Sequence, residues 1–199
     1  VDTNGGRAVS RGAVTWRSHR LRSLACAAAA ALACTSVPPP TPAQDAARAA
    51  ELEAAIAGLS ASVEPAEARA LAERAVAATA ALVSRYRPID PPQIGNLAFH
   101  VGLRERALCC HWASDLFRAL DGLPLRSLEL RWGVAHHGST LREHSSVIAV
   151  PAGAALRDGL VLDAWRHSGR LYWVRVADDR YPWRLHPSDA DRDTLECGT

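Results

Sequence analysis

Three short segments hold the residue types from which a thiol nucleophile can be built: Leu108-Cys109-Cys110-His111-Trp112-Ala113, Glu143-His144-Ser145-Ser146-Val147-Ile148 and Val161-Leu162-Asp163-Ala164-Trp165. Cys109 opens a helical pattern, where the positive end of the helix dipole favours the thiolate, the nucleophilic form of sulfur. His144 opens a strand pattern, and an imidazole beside a thiol takes its proton and later returns it to a leaving group. Asp163 lies on the next strand pattern. A carboxylate behind the imidazole fixes its tautomer and steadies the imidazolium.

These residues are far apart in the chain, so folded elements must bring them together. Cys109 to Leu120 reads as a helix with Trp112, Ala113, Leu116, Phe117 and Leu120 on one apolar face, ended by Asp121-Gly122. After it the period changes: Leu125 to Val134, His144 to Val150, Leu160 to Trp165 and Leu171 to Val176 read as strands bounded by Gly, Pro and Asp. A two-residue turn at Gly153-Ala154 predicts a hairpin in which His144 lies directly opposite Asp163. Upstream, residues 44 to 87 are Ala-rich. The clearest helix starts near Pro65, with Glu64 and Glu67 at its positive end and Ala68, Leu71, Ala72, Ala75, Val76, Thr79, Leu82 and Val83 in one stripe. Gln44 to Leu59 is a second, weaker helix ending near Gly58, and Arg87 to Pro92 is irregular. Helices first and strands later predict an α+β fold, helices against one face of an antiparallel sheet.

Other reactive residues read as structural. His111 is two residues from Cys109, and i and i+2 on a helix do not face each other. His136 and His137 are adjacent on a strand and point to opposite faces, and no metal-ligand spacing is present, so no metal is expected. Trp132, Trp165, Trp173 and Trp183 read as core and rim aromatics, Trp165 with the further use of excluding water from the Cys-His pair. Asp178-Asp179-Arg180 reads as a solvated loop, and the residues after Trp183 as a poorly ordered tail.

The order Cys, His, Asp, with C-x-x-W-A on a helix, H-x-x-V-I on one strand and V-L-D-x-W on the next, resembles the transglutaminase-like branch of the papain-like cysteine enzymes over roughly residues 93 to 183. The resemblance implies a papain-like α+β fold and acyl transfer through a thioester. Cys109 would be the nucleophile, His144 the base and Asp163 its orienter, with no cofactor. It also selects Cys109 over Cys110, because Trp112 and Ala113 stand three and four residues after Cys109, as in the family pattern. Where the family has Gly two residues before the nucleophile this chain has Ala107, and where papain-like enzymes have an amide it has Leu103. Asn96 and Gln93 are the candidate oxyanion donors in its place, beside the backbone N–H of Cys109.

The first 33 residues read as an address rather than a domain. Arg7, Arg11, Arg17, Arg20 and Arg22 precede an apolar run from Leu24 to Ala33, the order of a signal peptide, and the run is about half of the ~20 residues a membrane span needs. Ala31-Leu32-Ala33-Cys34 resembles a bacterial lipobox, which implies a lipidated Cys34 with a Pro-rich spacer, together 34–43; the alternative is ordinary signal-peptidase cleavage after a small-residue site. Composition, 48% hydrophobic and 22% charged, excludes a disordered, collagenous or multi-span chain. All 23 basic residues are Arg, the net charge is +2, and the leader carries +4 of it, so the remainder is about −2 and nucleic-acid binding has little support. Cys109, Cys110 and Cys197 remain in the domain, and a Cys110–Cys197 disulfide is possible without being implied by spacing.

The expectation is an exported, lipid-anchored cell-envelope enzyme acting on an amide bond of a peptide or protein substrate. Two competing readings are a non-catalytic binding module on the same fold and a structural envelope lipoprotein.

Overall fold

The computed structural model describes residues 35–139, 141–189 and 197; the leader and Cys34 lie outside the described residues. The chain is α+β. Strand β1 (Thr35–Ser36) and helices α1 (Pro42–Ala57) and α2 (Pro65–Tyr86) lead to β2 (Ile89–Asp90), α3 (Pro92–His100) and α4 (Cys109–Leu120). Strands β3 (Leu128–Ala135), β4 (His144–Pro151), β5 (Leu160–Asp163), β6 (Tyr172–Arg175) and β7 (Trp183–Leu185) follow. They form one antiparallel sheet in the order β6-β5-β4-β3-β7.

The two long helices form for the reasons their sequences give. Thr41 caps α1, accepting from the Gln44 amide while Gln44 Oε1 accepts from the Thr41 amide, and Pro42 begins the helix at no cost in hydrogen bonds. In α2 the stripe Ala68, Leu71, Ala72, Ala75, Val76, Thr79, Leu82 and Val83 is buried. Small residues along it let α1 and α4 approach. Glu67, in the first turn of α2, accepts from the amides of Arg126 and Ser127 at 2.9 and 2.8 Å and so ties this helix to the start of β3.

Helix α4 buries Trp112, Ala113, Leu116, Phe117 and Leu120 against α2 and the helix-side face of the sheet, where Leu130, Trp132, Val147, Ala149, Leu160 and Leu162 meet it. Its outer side is anchored by Asp115, which accepts from Tyr86 Oη at 2.5 Å and from Arg106 at 3.0 Å and also pairs with Arg85. The opposite face of the sheet holds a smaller cluster of Ala135, Ile148, Val150, Val161 and Trp183. The core therefore fixes α4 on one side of the sheet and leaves its first residue at the sheet's end.

Three expectations need correction. The β4–β5 connection is not a two-residue turn: Gly153 turns the chain at φ +73°, and a 3-10 turn at Leu156–Asp158 lengthens the loop. Val147 consequently faces Leu162, two residues out of the expected register, and His144 is diagonal to Asp163 rather than opposite it. The segment from Thr35 does not extend as a spacer, because β1 pairs with β2 and the Val37 amide donates to Pro88 O at 3.1 Å. Residues 184–189 are docked: β7 pairs with β3, His186 stacks on Trp132, and Asp189 accepts from the Trp132 amide at 2.6 Å. Cys197 is joined to Cys110 by a disulfide, with Cα atoms 5.3 Å apart.

Candidate active site

Cys109 is the first residue of α4 and is half-buried, with Leu108 in extended conformation before it. The amides of a first helical turn have no acceptor within the helix. His111, in that turn, instead accepts at Nδ1 from the amides of Ala107 and Leu108, the two residues before the helix, each at 3.2 Å. Burial, then the neighbouring Arg106, lowers the His111 ring to about 4, which keeps Nδ1 unprotonated and able to accept. His111 therefore shapes the turn that presents the thiol. The i, i+2 spacing that keeps His111 from serving Cys109 as a base carries no local signal of this capping task.

His144 opens β4 and is 3% exposed; Asp163 ends β5 and is 1% exposed. His144 Nε2 lies 2.6 Å from Asp163 Oδ2. Alternation along the strands puts both on the face of Ile148, Val150 and Val161, away from the helices. A register shift of two residues preserves the face, so the contact survives the corrected pairing. Ala135 faces His144 on β3, and its small side chain leaves the ring to be packed by Trp165, Tyr181 and Trp183, at 5.2, 4.9 and 5.5 Å between centroids. The Cys109 thiol comes over the end of the sheet and donates to the Glu143 carbonyl at 3.7 Å, the residue before His144.

Electrostatics follow from this packing. Burial alone would pull the His144 ring down, but the Asp163 carboxylate, and after it Cys109, push it up to about 10. Asp163 would be raised by burial, yet His144 and Arg166 hold it below the usual carboxylate range. An ionised carboxylate only accepts, so Nε2 carries the proton and donates, which leaves Nδ1 for the thiol. The other oxygen of Asp163 accepts from the amides of Trp165 and Arg166 at 3.0 and 2.9 Å.

Arg166 was not legible as part of the site. Its Nε donates to Asp163 Oδ2 at 3.1 Å, and its terminal nitrogens donate to Asp179 at 3.1 and 2.8 Å. Asp179 in turn accepts from the Trp183 indole at 2.9 Å, and its side chain is 3% exposed. The expected solvated loop is thus half right: Asp178 and Arg180 are exposed, whereas Asp179 points inward.

The oxyanion candidates separate. Asn96 Oδ1 accepts from the Trp165 indole at 3.2 Å, and the same Trp165 ring packs on His144, so Asn96 stands one side chain from the triad with its NH2 left as a donor. Gln93, one turn earlier on α3, is exposed. His136 and His137 are not on a strand, since β3 ends at Ala135 and His136 turns the chain at φ +53°; the His136 ring meets Tyr181, while that of His137 meets His186 and lies 3.4 Å from Glu143. Among the described residues no group of three or more His, Cys, Asp or Glu is arranged to hold a metal ion.

The arrangement can deprotonate a thiol, store its proton on a buried ring and return it. No family model, curated protein or solved structure matches the chain.

Proposed function

We propose that this chain is a cysteine-dependent acyl-transfer enzyme of the transglutaminase-like, papain-like kind, acting on an amide bond of a peptide or protein. The observation that carries this reading is a half-exposed thiol at a helix start beside a His144–Asp163 pair closed at 2.6 Å beneath it. The Cys109 thiolate attacks the carbonyl carbon, and the C–N bond breaks as His144 gives its proton to the departing amine. Water or a second amine then attacks the thioester, loses a proton to His144 and releases Cys109. Asn96 NH2 and the Cys109 amide are the donors for the oxyanion. None of these steps calls on a cofactor.

The Cys110–Cys197 disulfide supports an oxidising compartment, in keeping with an exported, lipid-anchored protein of the cell envelope. In this reading the membrane tether is a lipid on Cys34, as the lipobox resemblance implies; no described helix is long and apolar enough to cross a membrane.

Labelling by iodoacetamide tests the reading. Cys109 should alkylate rapidly near neutral pH, and His144→Ala should slow it by about 10²-fold or more. Slow labelling indifferent to His144 would instead favour a non-catalytic envelope-binding module on this fold.

A further inference from the structure

Besides Trp165, side chains of Arg166, Tyr181 and Trp183 reach the triad, and Asp179 holds Arg166 and Trp183 from behind. Arg166 Nε and His144 Nε2 donate to the same oxygen, Asp163 Oδ2, at 3.1 and 2.6 Å. Two donors on one carboxylate oxygen divide its charge between them, so each is held less tightly than it would be alone. The guanidinium is fixed where it stands. Asp179 takes its two terminal nitrogens, the rings of Tyr172 and Tyr181 each lie 4.7 Å from its Cζ, and its side chain is 9% exposed.

We propose that Arg166, locked by Asp179, is a positioning residue that limits the grip of Asp163 on the imidazolium, so that His144 can give its proton to the departing amine. The inference rests on the acyl-transfer reading and assigns that site a means of setting the strength of its acid. An imidazolium held only by a fully buried carboxylate would keep its proton, and a general acid must release it.

The charged and titratable groups around the ring are Cys109 from α4, Asp163 and Arg166 from the end of β5 and the turn after it, and Asp179 and Tyr181 from the segment before β7. His137 and Glu143 belong to the connection that precedes His144. Of these, Arg166 is the cation bonded to the carboxylate, and Asp179 is the anion bonded to Arg166. Removing the charge of Arg166 must therefore tighten the hold on His144, and removing the charge of Asp179 must loosen it. A defect of packing would move both variants the same way.

The test is the His144 ring titration followed by NMR in the full chain from about pH 5 to about pH 12, beside the rate of iodoacetamide labelling of Cys109. Arg166→Met should move the His144 ring titration about one pH unit higher, Asp179→Asn about one unit lower, and Arg166→Lys should stay with the wild type. Shifts of the first two in the same direction, or no shift in either folded variant, overturn the proposal. If a thermal melt shows that Arg166→Met does not fold, Asp179→Asn decides: a ring titration that stays or rises overturns the proposal. Failure of the acyl-transfer reading is separately visible, because labelling would then ignore His144→Ala while the ring titration still reports whether Arg166 and Asp179 act in opposite senses.

Discussion

Four N–H groups converge on the two carboxylate oxygens of Asp163: the His144 ring, the amides of Trp165 and Arg166, and the Arg166 side chain. An amide in its place can satisfy only one oxygen's worth of them and must turn its NH2 toward another donor. Asp163→Asn should therefore lower the Cys109 labelling rate by about 10²-fold or more. It should also cost about 3–5 kcal/mol of stability, as removing one partner of a buried ion pair does. Chemical denaturation alongside labelling reads both. His111→Ala has a different signature at the same scale. It removes one acceptor for two amides, so about 1 kcal/mol is lost, as for a missing cap, with the labelling reduced through the position of the thiol.

Elements were legible in proportion to how regularly they bury one face. Helices α2 and α4 each hide a single stripe, so the spacing of Ala68 to Val83 and of Trp112 to Leu120 announces them. Cys109, His144 and Asp163 were legible for a related reason: each stands at the end of an element, where the pattern changes. Helix α3 was not, because Pro91 and Pro92 break the pattern before it and Gly95 interrupts its apolar face. Nor was β7, three residues long with Arg184 and Leu185 exposed, which exists because Ala135 and Gly133 of β3 offer it a partner. The role of Arg166 depends on a carboxylate thirteen residues away, which no local spacing records. One turn can be tested directly. Gly169 has φ +89°, and a Cβ there would sit 2.4 Å from Val83 Cγ2 of α2. Gly169→Ala should destabilise the protein by about 1–3 kcal/mol, read by denaturation, because both the backbone and the overpacked contact object.

For the molecule as a whole, stability should peak near pH 6.5, where the two perturbed histidines cross. His111, held at about 4 when folded, leaves the unfolded chain binding more protons below its ordinary value of 6.5, so its contribution fades as pH falls from 6.5 toward 4. His144, pushed up to about 10, binds its proton more tightly when folded, so its contribution is complete below 6.5 and fades as pH rises through 10. Asp163 adds a further loss below the carboxylate range. Melting temperature measured across this span checks the shape; His111→Ala should flatten the acid side and His144→Ala the alkaline side. Replacing Cys110 and Cys197 by Ser should lower stability by about 2–5 kcal/mol at any pH, the usual cost of losing a native disulfide.

The bond between Cys110 and Cys197 spans 87 positions, and that ring encloses β3 to β7 with His144 and Asp163. A protease that nicks the backbone once anywhere inside it cannot separate the helix bearing Cys109 from the strands bearing its two partners. On a non-reducing gel the nicked protein runs as one species, and only a reductant splits it into two bands.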